Sequence, residues 1–116
     1  MSFKVRTTDE FDRAVRRLAK KYKSFKSDMA ALAAELSARP TMGTSLGGNI
    51  YKIRLSIKST GKGKSGGARV YTYVFVEGTT VYLTDIRMKS ETDNVTDDWI
   101  AVLRATAIKQ IEEGSN

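Results

Sequence analysis

The 116-residue chain contains no cysteine and no histidine. Without cysteine there is no disulfide framework and no thiolate metal site, and without histidine the usual imidazole base and the commonest metal ligand are both missing. Metal catalysis is therefore not expected, nor is any small-molecule cofactor. There is a single proline, Pro40, and neither a low-complexity run nor an internal repeat, so nothing marks a boundary and one domain over 1–116 is expected. Long apolar runs are absent as well. SFKVRTTDE has no signal-peptide core, and no stretch approaches the ~18 apolar residues of a membrane span. With a composition that suits a reducing compartment, a cytoplasmic protein with no membrane partner is expected.

Negative charge is missing from one long stretch. The formal net charge is +7, and between Glu35 and Glu77 no acidic residue interrupts Arg39, Lys52, Arg54, Lys58, Lys62, Lys64 and Arg69. After Lys89 the balance reverses, with Glu91, Asp93, Asp97, Asp98, Glu112 and Glu113 facing Arg104 and Lys109. A basic middle points to a polyanionic partner.

Periodicity supplies the architecture. Phe3 to Arg6 reads as a short strand. Thr7 with Glu10 is a capping-box signature, and Phe11, Val15, Leu18 and Tyr22 recur at helical spacing, predicting a helix from about Asp9 to Tyr22. A second helix follows with Met29, Leu32 and Leu36 inward, stopping before Pro40. TMGTSLGGN, residues 41–49, has loop composition. From there the period is two: Ile53, Leu55 and Ile57 alternate with Lys52, Arg54, Ser56 and Lys58. The next strand, about Ala68 to Glu77, sets Val70, Thr72, Val74 and Val76 against Arg69, Tyr71, Tyr73 and Phe75. A third, Thr80 to Met88, sets Tyr82, Thr84, Ile86 and Met88 against Val81, Leu83, Asp85 and Arg87. Thr96 caps a terminal helix with Trp99, Leu103 and Ala107 as its apolar stripe. The expected fold is α+β in the order β-α-α-β-β-β-α. Its N-terminal strand and helical hairpin pack on a twisted antiparallel sheet, and a C-terminal helix closes the chain.

The sheet face opposite the hairpin would carry Arg54, Arg69, Tyr71, Tyr73, Arg87 and, past the last strand, Lys89. The glycine-rich loop GKGKSGGAR, residues 61–69, beside it is not a P-loop. That pattern needs a glycine where Lys58 stands and a helix after Ser65, whereas VYTYVFV reads as strand. Three readings of the face compete. Strand-exposed cations keep a sheet edge soluble. A sequence-independent nucleic-acid binder uses cations for phosphates and tyrosines for stacking. A metal-independent phosphodiesterase uses cations to stabilise charge developing on a scissile phosphate.

The run YKIRLSIKSTGKGKSGGARVYTYVF followed by VYLTDIRMKSETDN resembles the RelE/ParE superfamily of bacterial toxins, within it the HigB-like ribosome-dependent branch. Lys52-Ile53-Arg54 on a strand, the loop ending Gly66-Gly67-Ala68-Arg69, and Lys89-Ser90-Glu91 after the last strand carry the resemblance, which spans about residues 8–100. It implies the toxin of a type II toxin–antitoxin system: an endoribonuclease that cleaves mRNA on the ribosome by attack of the ribose 2′-OH, silenced by a cognate antitoxin. Arg54 and Arg69, which keep their protons, are then assigned to phosphate binding and transition-state charge. Lys64 and Lys89, with cationic neighbours, are candidate bases, and Glu91 is the alternative. Lys52, Lys58, Lys62, Tyr71, Tyr73 and Arg87 complete the expected RNA contacts. Relatives often carry an aromatic where this chain has Arg87, and no general acid is assigned. A ParE-like gyrase inhibitor and a non-catalytic RNA-binding domain are the alternatives.

Overall fold

A computed structural model of the protein describes residues 2–61, 67–89 and 95–114. The chain runs β1 (Lys4–Thr7), α1 (Asp9–Lys21), α2 (Phe25–Ala38), β2 (Thr44–Gly47), β3 (Ile50–Leu55), a 3₁₀ turn (Lys58–Thr60), β4 (Ala68–Phe75), β5 (Thr80–Met88) and α3 (Asp97–Glu112). The strands form one sheet in the order β1-β5-β4-β3-β2, as expected for an α+β domain with a C-terminal helix. It is a mixed sheet rather than a wholly antiparallel one, because β1 joins the edge parallel to β5. The direction of so short an edge strand is set by its pairing and by its ties elsewhere, here the Phe3 N–H to Ser37 O and the Ser37 hydroxyl to Phe3 O.

Helix α1 starts at Asp9 as expected, but its cap is one residue later than the capping-box signature placed it. Thr8, not Thr7, is the N-cap: its Oγ1 accepts from the Phe11 N–H at 3.3 Å and donates to Thr84 O at 3.2 Å. One buried hydroxyl thus satisfies a helix terminus and ties it to β5. Asp9, Glu10 and Asp12 in the first turn and Lys20 and Lys21 in the last complement the helix dipole. Phe11 and Leu18 from α1, with Phe25, Leu32 and Leu36 from α2, pack on Ile53, Val70, Val81, Leu83, Ile86 and Met88 to form the main core.

Two strand features depart from the periodic reading. Residues 44–47, inside the expected loop, pair with β3 through a two-residue turn at Gly48 and Asn49. Both adopt left-handed φ, 59° and 64°, as a hairpin turn of this length demands. In β5, a bulge at Thr84 shifts the register, so that Tyr71 opposes Asp85 while Thr72 opposes Leu83. The expected grouping of Tyr82 and Thr84 with Ile86 and Met88 therefore fails. Val81 and Leu83 join Ile86 and Met88 on the hairpin side because the apolar positions change parity, odd before the bulge and even after it. The Thr84 hydroxyl holds the irregularity by donating to Tyr71 O at 2.9 Å.

Candidate polyanion-binding site

Strand register brings the predicted arginines together. Arg54 on β3 pairs directly with Arg69 on β4, and Arg69 pairs directly with Arg87 on β5. Residues directly opposite in a sheet project to one face, so three guanidinium side chains leave the sheet in a single row. One row along, Lys52 opposes Tyr71, which opposes Asp85. Past the end of β5, the Lys89 N–H donates to Gly67 O at 3.0 Å, so Lys89 lies two residues beyond Arg87, next to the row and on the other side of it from Tyr71 and Asp85. Arg54 and Lys89 are exposed; Arg69, Arg87 and Lys52 are half-buried.

Such a row is unfavourable by itself. Two unit charges about 5 Å apart repel by about 0.8 kcal/mol in water and about 3 kcal/mol at the effective dielectric near a protein surface. Arg87 is relieved by Asp85, its Nε donating to Oδ2 at 3.1 Å. Arg54 has no ion pair among the described residues. A bound phosphate diester, able to accept forked hydrogen bonds from guanidinium groups, would offset the remaining repulsion.

The face that carries the cations is partly covered. Helix α3, capped by Thr96 Oγ1 accepting from the Trp99 N–H at 3.1 Å, lies on the same side of the sheet. Its Leu103 forms a second, smaller core with Ile50 and Tyr71, against which Leu46, Tyr73, Val95, Trp99 and Ile100 pack. Tyr71, 1% exposed, is a packing residue under this helix, and its ring meets the Trp99 ring edge to face at 4.7 Å. It presents no free face for RNA stacking, because α3 needs an apolar bed for its own stripe. Tyr73 is half-buried against the same cluster. At the far end of α3 the Gln110 side chain bridges to the β1–α1 junction, donating to Thr7 O and accepting from the Asp9 N–H.

Lys58 stands apart from the row. Its backbone N–H donates to Asp28 Oδ2 at 3.1 Å, and the same oxygen accepts from the Ser24 hydroxyl at 2.7 Å. The buried Asp28 thus fastens α2 to the 3₁₀ turn that leads into the glycine-lysine loop. Sequence reasoning missed it, although an aspartate among the inward positions of α2 was a signal. Trp99 was read only as core stripe, yet its ring lies 4.4 Å from the Arg87 guanidinium carbon. Lys62, Lys64 and Glu91 lie outside the described residues.

Together these features define a small α+β fold with a row of cations on its sheet, an arrangement suited to a polyanion. The chain belongs to the RelE family, matched over residues 4–114 and described as the RelE toxin of the RelE/RelB toxin–antitoxin system. It is therefore a toxin-family protein, and membership implies an antitoxin partner. Among solved structures it is similar to an Escherichia coli RelE toxin, a double arginine-to-alanine mutant in the free state. The similarity covers 96% of this chain and 99% of that one, at 18% identity and a TM-score of 0.59. That likeness concerns the fold. A search of curated protein sequences finds no significant match. Among the described residues no helix is long and apolar enough to cross a membrane.

Proposed function

We propose that the protein is a metal-independent, ribosome-dependent mRNA endonuclease of the HigB-like kind, acting in the cytoplasm. The observation that carries this reading is the direct pairing of Arg54 with Arg69, by which two permanently charged side chains leave neighbouring strands on the same face of the sheet. In the reaction the ribose 2′-oxygen forms a bond to the adjacent phosphorus as its proton passes to a base. The bond to the 5′-oxygen then breaks, and that oxygen takes up a proton, leaving a cyclic phosphate and a 5′-OH. Arg54 and Arg69 bind the phosphate and stabilise the extra negative charge of the transition state. Lys64 or Lys89 accepts the 2′-proton, with Glu91 the alternative base. Lys52, Lys58 and Lys62 extend the backbone contacts.

The antitoxin silences this site by an acidic or amphipathic segment that competes for the surface where residues 95–113 dock, and its binding weakens as salt rises.

Induced expression of the wild type beside Arg69→Ala, with mapping of RNA ends, tests the reading. Cleavage of translated mRNA and growth arrest are expected from the wild type alone. Removing one transition-state donor costs about 100-fold or more in rate. Double-strand DNA breaks with intact mRNA would instead identify a gyrase inhibitor, and RNA binding without cleavage a non-catalytic module.

A further inference from the structure

We propose that Ser24 and Asp28 are positioning residues for RNA cleavage, holding from the α1–α2 corner the turn through which the chain passes from Arg54 towards Lys62 and Lys64. This rests on the RNA-cleaving reading above and adds to it two residues on the sheet's other face.

The turn cannot cap itself. Lys58–Thr60 is a single 3₁₀ turn whose N-cap, Ile57, is buried and offers no side-chain hydrogen bond. The N–H groups that open such a turn have no carbonyl partner within it. Two of them are met from 30 and 35 residues earlier in the chain: the Lys58 N–H donates to Asp28 Oδ2 at 3.1 Å, and the Ser59 N–H donates to Ser24 Oγ at 2.8 Å. The Ser24 hydroxyl in turn donates to Asp28 Oδ2 at 2.7 Å and closes the group. Asp28 is 3% exposed, so water is poorly placed to replace a lost partner.

Ser24 shows which task the hydroxyl serves. It is the N-cap of α2, a position from which a serine ordinarily accepts from the N–H two or three residues on. Here it makes no such bond, and its oxygen is given to the distant turn instead. The turn matters because of what flanks it. Lys58 follows Arg54 by four residues, which places it at most about 14 Å from that arginine along the chain. On the other flank Ala68 pairs with Leu55, and Gly67 O accepts from the Lys89 N–H. Lys62 and Lys64 thus fall in a segment anchored at both ends, by the 3₁₀ turn and by the sheet. Closing both ends of a short connection restricts where the residues between them can go. Catalysis is sensitive to that placement, since a shift of about 1 Å from a change far from the chemistry can cost about 100-fold.

The test is steady-state cleavage of one defined mRNA on programmed ribosomes by the full chain, run well below each variant's unfolding midpoint. Ser24→Ala and Asp28→Ala should lower kcat by about tenfold while KM changes by less than about twofold, the pattern of a lost transition-state contribution. Asp28→Asn, whose amide oxygen can accept from both donors, should keep at least about half of kcat. Ser37→Ala removes a comparable tie from the same helix, the hydroxyl bond to Phe3 O at 2.8 Å, and should leave kcat and KM unchanged. Should Asp28→Ala fail to fold, the half-buried Ser24 carries the comparison. The inference is overturned, with the reading beneath it intact, if wild type cleaves and the folded alanine variants match its kcat. A loss confined to KM, an equal loss in Ser37→Ala, or an Asp28→Asn no better than Asp28→Ala would overturn it too. Failure of wild type to cleave would overturn the RNA-cleaving reading and the inference with it.

Discussion

On the hairpin face the sheet is sealed by Phe11, Leu18, Phe25, Leu32 and Leu36, which close over strand residues that are themselves almost wholly buried. On the opposite face α3 rests on a narrower bed of Ile50 and Tyr71 and leaves the row of Arg54, Arg69 and Arg87 beside it. One side carries the apolar burial that holds the domain together. The other gathers like charges that oppose folding and make sense through what they bind. On the function proposed above, the site would occupy the side of the sheet that contributes less apolar burial, a division familiar from the trade between stability and activity.

Substitutions on the two faces should therefore separate. The largest effect is expected from Leu32→Ala in the main core, where the side chain is 1% exposed. It should cost about 3 kcal/mol in a denaturant titration and lower the transition of the whole domain. Asp28→Ala should cost about 2 kcal/mol, since it leaves the Lys58 N–H without its buried acceptor and frees the 3₁₀ turn from α2. A loss much below 0.5 kcal/mol in the same titration would mean that Asp28 is not an anchor. Leu103→Ala in the small core should cost about 1 to 2 kcal/mol and act locally. Amide exchange should quicken by about 5- to 30-fold in α3 and stay unchanged in α1 and α2. If exchange quickened equally everywhere, the two faces would be a single cooperative unit and the contrast between them would be lost.

Much of this contrast was legible in the chain. The alternation of Lys52 and Arg54 with Ile53 and Leu55, and of Arg69 and Tyr71 with Val70 and Thr72, sufficed to put Arg54 and Arg69 on one face, because period two leaves no other choice in a regular ladder. The α3 cap at Thr96 was equally local. What escaped were features decided by distant partners. The side on which α3 docks, and with it the burial of Tyr71, depends on tertiary packing that no window of sequence contains. The Thr84 bulge was written in the change of parity between Leu83 and Ile86, but strict alternation passed over it. The Gly48-Asn49 turn was hidden in a segment whose composition reads as loop, though two adjacent residues that tolerate positive φ are a hairpin signal.

The central claim is that the arginine row costs stability in the free protein. The most direct measurement is the unfolding temperature of Arg54→Gln against wild type in low-salt buffer without phosphate or nucleic acid. Neutralising one member of the Arg54–Arg69 pair, with length and strand position kept, should remove about 0.8 kcal/mol of repulsion and raise the midpoint by about 3 °C. A fall of similar size would mean that Arg54 stabilises the sheet, and the row would then be part of the scaffold instead of a site held open for a polyanion.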